Sequence, residues 1–314
     1  MTLTLLAAAG ALVALPGLTD RFGRRLAPEE WARLCGLGLG GGLALFELAV
    51  LLRAAPPLLR AVGVPGLAAA CSRVIGPLLA GGPTVTWAAG VAAVAVPARI
   101  GMAWWRAARV RRRIACDLWL GERAVIAGRD VVVLPVSRPI AVSFATTAGE
   151  EAVVVSAGLL DRLDHKQVEA VVRHEAAHLR RRHQRLLSVA AAAEGVAGWM
   201  PPVRRSARAL RLAVERGADE EAAAASSGGR IDVRDSLLAL AGLPPAPEVA
   251  AFADPATVAA RIAALDAPPR RPGIASHALL YAPGAVAGLM AAPALVSWAG
   301  HVRTVVAMAG RCGV

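Results

Sequence analysis

The chain has 314 residues, of which 56% are hydrophobic and 18% are charged, and its mean hydropathy is +0.52. This composition is more apolar than that of an average soluble domain and argues against a disordered chain, so it indicates a membrane protein. The net charge of +12 comes from arginines beside apolar runs, and no nucleic-acid-binding motif accompanies them. We therefore expect the lipid bilayer as a partner and no direct contact with nucleic acid.

Four segments are long and apolar enough to cross a bilayer, which takes about 20 residues. They are Thr2–Leu18, 34–52, 78–98 and 278–299. A basic run follows the first segment and none precedes it, which is typical of an uncleaved anchor with its N-terminus outside. Arginines are concentrated in residues 20–33 and 99–113, so the positive-inside rule places both termini outside and residues 99–277 in the cytoplasm. The chain is predicted to be a multi-pass protein of the cell membrane.

The predicted fold is an α-helical integral membrane protein of about four spans, with an inserted α+β domain. Three transmembrane helices occupy residues 1–106, and the cytoplasmic α+β domain occupies residues 107–235. A linker (236–277), the fourth span (278–299) and a short tail (300–314) follow.

Within the predicted domain, β-branched runs indicate strands at residues 131–134, 140–144 and 152–156. We expect the strand at 140–144 to present an edge with which an extended substrate can pair. Asp164, with Gln167 three residues later, predicts a capping box at the start of a helix.

That helix carries the sequence His174-Glu175-Ala176-Ala177-His178. Two histidines four residues apart lie one turn apart on a helix, so both imidazoles can reach one zinc ion. Glu175 lies on a neighbouring face, where it can take a proton from an attacking water molecule. The pattern predicts His174 and His178 as metal ligands and Glu175 as the catalytic base. The alternative is an arginine-rich solvated helix in which the histidines are incidental.

Glu215 is the predicted third ligand, because one carboxylate on a second helix completes a site of two histidines and one glutamate with an open fourth position. Asp219 lies one turn later on the same face. From there it can accept a hydrogen bond from a ligand imidazole and fix its tautomer.

A helical hairpin over residues 186–214 is predicted to return Glu215 to the histidines, because Gly195, Gly198 and Pro201-Pro202 interrupt the helix. Its tip is expected either to dip into the membrane surface or to pack on the spans. His183 lies five residues after His178, so it is expected to point off the ligand face, into solvent or behind a ligand.

These motifs together resemble the BlaR/MecR-type membrane metallopeptidases. The resemblance covers residues 137–144, 154–160, 174–183 and 215–219, and the predicted spans are arranged as that family arranges them. It implies a gluzincin fold, zinc as the cofactor, and endoproteolysis of a cytoplasmic protein, often a transcriptional repressor. Only residues 300–314 follow the last predicted span, so we expect a short form without the penicillin-binding sensor that the best-known members carry.

The predicted function is therefore a membrane-bound zinc metalloendopeptidase that acts on a protein or peptide substrate. A non-catalytic signalling scaffold that retains the zinc site is one alternative. A transporter or channel is another, although the predicted spans carry a single acidic residue and no internal repeat. The prenyl-protein and heat-shock membrane proteases share both motifs but usually place two full spans between them, for which 36 residues are too few.

Overall fold

The computed structural model describes residues 2–18, 23, 26–75, 82–117, 121–145, 151–241 and 255–268. The described residues of the N-terminal part include the helices α1 (Thr2–Leu18), α2 (Pro28–Ala61), α3 (Pro65–Ile75) and α4 (Pro83–Asp117). Two of them, α2 and the Pro83–Arg109 portion of α4, are long and apolar enough to cross a membrane, judged by length and composition. The predicted span 278–299 and the start of the predicted span 78–98 lie outside the described residues.

Close packing of α1 against α2 depends on Gly38 and Gly42, which lie on one face of α2. A Cβ atom at Gly38 would come within 2.8 Å of the carbonyl oxygen of Leu12, and one at Gly42 within 2.8 Å of the carbonyl oxygen of Ala9. Only glycine allows two helix backbones to approach this closely, as in small-residue helix pairs of membrane proteins.

A four-stranded mixed sheet follows, in the order β1-β2-β4-β3. Its strands are β1 (Glu122–Ile126), β2 (Arg129–Leu134), β3 (Ala141–Ala145) and β4 (Glu151–Ser156). β2 and β4 are parallel, whereas the outer pairs β1–β2 and β3–β4 are antiparallel. Among the described strands β3 therefore lies at one edge of the sheet, where we expected the strand at 140–144 to lie.

Six helices complete the described chain: α5 (Ala157–Leu160), α6 (His165–Arg180), α7 (His183–Ala197), α8 (Pro201–Ala223), α9 (Gly229–Leu240) and α10 (Pro255–Asp266). The predicted capping box at the start of α6 is confirmed. The Gln167 backbone N–H donates to the Asp164 carboxylate at 2.9 Å, and the Asp164 N–H donates to the Gln167 side chain at 3.2 Å. Val172 on α6 packs against Val153 and Val155 of the sheet, which fixes the helix across it.

The hairpin α7–α8 packs on the apolar helices. Leu34 and Leu39 of α2 share a buried core with Ala190, Leu210 and Val214 of the hairpin. Polar contacts join the same surfaces: Arg99 Nη1 donates to the Gly195 carbonyl at 3.1 Å, and Ser206 Oγ donates to the Val13 carbonyl at 2.6 Å. The hairpin was expected either to dip into the membrane surface or to pack on the spans, and these contacts correspond to packing on the apolar helices.

Two parts of the helical region differ from the expectation. The helix that carries the histidines ends at Arg180, and α7 begins at His183, because Arg182 adopts the left-handed conformation at φ 52° and ψ 40°. The segment 236–277, which we interpreted as a linker, contains the end of α9 and all of α10. This helix is ordered against the domain because Leu265 is buried with Val233 of α9 and Ala222 of α8.

Candidate metal centre and active site

His174, His178 and Glu215 come together in a buried cluster. The Nε2 atoms of the two histidines are 3.1 Å apart. Glu215 Oε2 lies 3.4 Å from His174 Nε2, and Glu215 Oε1 lies 3.7 Å from His178 Nε2. The cluster forms because α6 places both imidazoles on one face and the hairpin brings α8 back across them.

The donor atoms fit a zinc ion. Zinc takes nitrogen and carboxylate oxygen ligands at about 2.0–2.2 Å in a tetrahedral arrangement, which separates neighbouring ligand atoms by roughly 3.3–3.5 Å. The histidine nitrogens are 3.1 Å apart, and each lies 3.4 or 3.7 Å from a different oxygen of Glu215. With one ligand atom from each residue, all three atoms lie within 4.8 Å of one another, which is compatible with one bound ion. A zinc ion held by these three residues would keep a fourth coordination position for water or substrate, as catalytic rather than structural sites do.

Asp219 lies directly behind His174, since its Oδ1 is 2.9 Å from His174 Nδ1. An imidazole that donates from Nδ1 to a carboxylate keeps its lone pair on Nε2, which is the atom that faces the other ligands. The expected placement of Asp219 beside a ligand imidazole is therefore found.

Arg261 of α10 completes this part of the site, although no motif in the sequence pointed to it. Its Nε and Nη2 donate to the two carboxylate oxygens of Asp219 at 2.8 and 2.7 Å, and its Nη1 lies 3.2 Å from Glu215 Oε2. The side chain is only 3% exposed. One buried guanidinium thus orients both carboxylates on α8. The signal available in the sequence was weak: Arg261 is the only basic residue in the apolar run from Pro255 to Asp266.

The three candidate ligands differ in protonation, because their surroundings shift their pKa values in different directions. Burial acts to raise the pKa of Glu215, but Arg261 and the histidines outweigh it and lower that pKa to about 2. Burial lowers the pKa of His178 to about 3. Burial also acts to lower the pKa of His174, but hydrogen bonds to Asp219 and Glu215 raise it to about 9. In the metal-free site at neutral pH, Glu215 is ionised, His178 is a neutral imidazole and His174 is a positively charged imidazolium.

Glu175 is buried beside the cluster and faces the edge strand. Burial raises its pKa above the usual value for a glutamate, which makes the carboxylate a stronger proton acceptor. Ser143 of β3 hydrogen-bonds to Glu175 with its side chain and with its backbone. The predicted catalytic base and the predicted substrate-pairing edge are therefore in contact.

His183 is fully buried, so the expectation that it could be solvated is wrong, and the position behind a ligand is the one found. The left-handed Arg182 turns the chain, which brings His183 Nδ1 to 3.0 Å from His178 Nδ1. On its other side, His183 Nε2 lies 2.9 Å from Oε1 of Glu29, a residue that the sequence analysis did not single out.

Residues 105–200 match the model of Peptidase family M48. The matched region contains the sheet and the segment 174–178, and it ends before Glu215. No curated protein and no solved structure matches the chain. The family match and the cluster of two histidines and one glutamate together support a metallopeptidase of the zincin type, with a site compatible with zinc.

Proposed function

We propose that the protein is a membrane-bound zinc metalloendopeptidase that hydrolyses peptide bonds of a protein substrate. The observation that carries the proposal is the convergence of His174, His178 and Glu215 beside the buried carboxyl group of Glu175. A site with one general base and an open coordination position suits hydrolysis better than storage or structural binding of a metal.

The protein groups have separate roles in the proposed reaction. A bound zinc ion supplies Lewis acidity, which polarises the scissile carbonyl and acidifies water. Glu175 takes the proton from the attacking water and passes it to the leaving nitrogen. The edge strand β3 pairs with an extended segment of substrate, which holds the scissile bond beside Glu175. Asp219 and Arg261 hold the ligand side chains in place.

The substrate that we propose is a cytoplasmic transcriptional repressor or another signalling protein. This rests on the resemblance to the BlaR/MecR-type enzymes and on the placement of basic residues around the apolar segments. The proposed orientation has both termini outside and the peptidase domain in the cytoplasm.

A second candidate is a protease of the prenyl-protein or heat-shock type, which the match to Peptidase family M48 favours. The two candidates differ in substrate. A prenyl-protein protease would cleave a prenylated peptide far faster than its unmodified counterpart, whereas a repressor-cleaving endopeptidase would process unmodified protein. Comparing cleavage of one peptide with and without its prenyl group distinguishes them.

The catalytic test uses Glu175→Gln, because Glu175 is not a proposed ligand. The change replaces a general base by a neutral amide of nearly equal size, and general-base catalysis contributes about 10²–10⁴-fold. Zinc content, measured by elemental analysis, should stay near that of the wild type while cleavage of casein or a candidate repressor falls by at least that factor.

His174→Ala should lose the zinc, and Glu169→Gln, which alters an ion pair with Arg173 away from the site, should behave as the wild type. If Glu175→Gln holds zinc and cleaves at the wild-type rate, the peptidase proposal is wrong. A different outcome would favour the signalling scaffold. In that outcome Glu175→Gln holds zinc, neither this variant nor the wild type cleaves any protein, and both support the cellular response.

A further inference from the structure

A row of three side chains joins the start of α2 to the metal cluster. Glu29 Oε1 lies 2.9 Å from His183 Nε2, and His183 Nδ1 lies 3.0 Å from His178 Nδ1. His183 is fully buried, and the Glu29 side chain is 21% exposed. Glu29 and His183 are 154 positions apart in the sequence, so only the fold brings them together.

With Glu29 ionised and both histidines neutral, one arrangement of protons along this row is consistent. An ionised carboxylate only accepts hydrogen bonds, so His183 must donate from Nε2 to Glu29. A neutral His183 then has a lone pair on Nδ1, and it can only accept at that atom. His178 must therefore donate from Nδ1, which leaves its Nε2 lone pair directed at the metal cluster.

The reverse arrangement would disable the site. If His183 donated from Nδ1, His178 would carry its proton on Nε2, where it faces His174 Nε2 at 3.1 Å. His183 would then present a lone pair to the carboxylate of Glu29. Metal-binding histidines commonly donate their second nitrogen to a carboxylate, either directly or through another group, for this reason.

We propose that Glu29 is a positioning residue for zinc binding, which acts through His183 to hold His178 in its metal-binding tautomer. The inference rests on the proposed zinc site. In this arrangement the Asp219 carboxylate holds the imidazole of His174 directly, and the Glu29 carboxylate holds the imidazole of His178 through His183.

The position of Glu29 links this role to the apolar helices. Glu29 lies in the first turn of α2, the helix that continues into a candidate membrane span. It approaches α8 so closely that a Cβ atom at Gly217 would lie 2.7 Å from Glu29 Oε1. Zinc affinity therefore depends on how the start of α2 is seated against α8, and a shift of α2 would weaken the metal site.

The test measures zinc affinity of the full-length protein in detergent by competition with a coloured chelator. Loss of a carboxylate behind a metal-binding histidine typically lowers metal affinity about 10–100-fold, and we expect that loss for Glu29→Gln. Glu47→Gln is the matched control, because it makes the same change on the same helix about 27 Å further along. It should bind zinc as the wild type does.

A double-mutant cycle separates this role from a general structural one. If Glu29 acts through His183, Glu29→Gln should add little in a His183→Ala background, whereas independent effects would add. In the cobalt-substituted protein, the visible absorption bands should shift in Glu29→Gln and stay unchanged in Glu47→Gln. Gly217→Ala is a second test of the same role, because its added methyl group should displace the Glu29 side chain without changing any charge.

The outcomes also separate this inference from the proposed function. If the wild type binds zinc and Glu29→Gln binds it equally well, the role of Glu29 is wrong while the zinc site stands. Additive effects of Glu29→Gln and His183→Ala overturn it as well. If Glu29→Gln does not fold, an unchanged zinc affinity in Gly217→Ala overturns it. If the wild type binds no zinc, or His174→Ala binds zinc normally, the proposed function itself fails.

Discussion

Arg261 is a buried cation that contacts two carboxylates, those of Asp219 and Glu215. Removing one partner of a buried ion pair usually costs about 3–5 kcal/mol, because the other charge stays buried without compensation. We expect Arg261→Met to lower the stability of the metal-free protein by this amount in denaturant unfolding. Arg234→Met, which removes partly exposed pairs with Asp235 and Asp266, should cost about 0–1 kcal/mol. Equal effects of the two changes would contradict a structural role for Arg261.

His174 determines how metal binding depends on pH. Its pKa is raised to about 9 in the metal-free site, whereas the pKa values of His178 and Glu215 are lowered, so that His178 is neutral and Glu215 is ionised at neutral pH. Zinc binding at pH 7 should therefore release about one proton from these ligands, and affinity should fall about tenfold for each unit of pH below 9. The same raised pKa implies that the metal-free fold is stabilised by this proton below about pH 6.5 and loses that stabilisation as pH rises through 9.

Calorimetry in two buffers of different ionisation enthalpy measures the proton release. Asp219→Asn is the informative comparison, because the hydrogen bond to the Asp219 carboxylate is the largest of the interactions that raise the pKa of His174. That variant should release fewer protons at pH 7. A wild-type protein that releases none between pH 6 and 8 would contradict the assignment of the proton to His174.

At the scale of elements, the sequence predicted those parts of the site that depend on local patterns. The spacing of His174 and His178, the capping box at Asp164 and the hairpin that returns Glu215 all follow from residues close to one another in the chain. Arg261 and Glu29 could not be found this way, because their contacts depend on how distant helices dock. For His183 the sequence left two positions open, and the unpredicted break at Arg182 is what places it behind His178.

The break at Arg182 should tolerate glycine and resist β-branched residues. Arg182 is exposed and left-handed, a conformation that glycine adopts freely and valine adopts at a cost of about 1–3 kcal/mol. We expect Arg182→Gly to keep the stability and zinc affinity of the wild type. Arg182→Val should lose stability by that amount and bind zinc more weakly, because straightening the chain moves His183 away from His178. Thermal unfolding and chelator competition measure the two effects, and similar behaviour of both variants would contradict this account.

At the scale of the whole molecule, α2 is longer than one bilayer crossing requires. Its 34 residues extend about 51 Å, against a hydrocarbon thickness of about 30 Å. Trp31, Leu34 and Leu39 in the first part of α2 are buried against the hairpin, whose helix α8 also carries the exposed Arg204 and Arg208. The later part exposes Leu48, Leu51 and Leu58. Exposed arginines are costly in hydrocarbon, so we expect the later part of α2 to lie in the bilayer and the first part to belong to the peptidase body.

This arrangement predicts that the C-terminal end of α2 and the peptidase body lie on opposite sides of the membrane. Val62, 70% exposed in the turn after α2, should be external, and Ser227, exposed between α8 and α9, should be cytoplasmic. Single cysteines at these positions can be introduced after the four natural cysteines are replaced by alanine. A membrane-impermeant maleimide should label Val62→Cys in intact cells and Ser227→Cys only after lysis.

Labelling of Ser227→Cys in intact cells would remove the cytoplasmic substrate from the proposal. If neither position is labelled until lysis, α2 does not cross the membrane, and the peptidase would act from the cytoplasm without the coupling of α2 to a span.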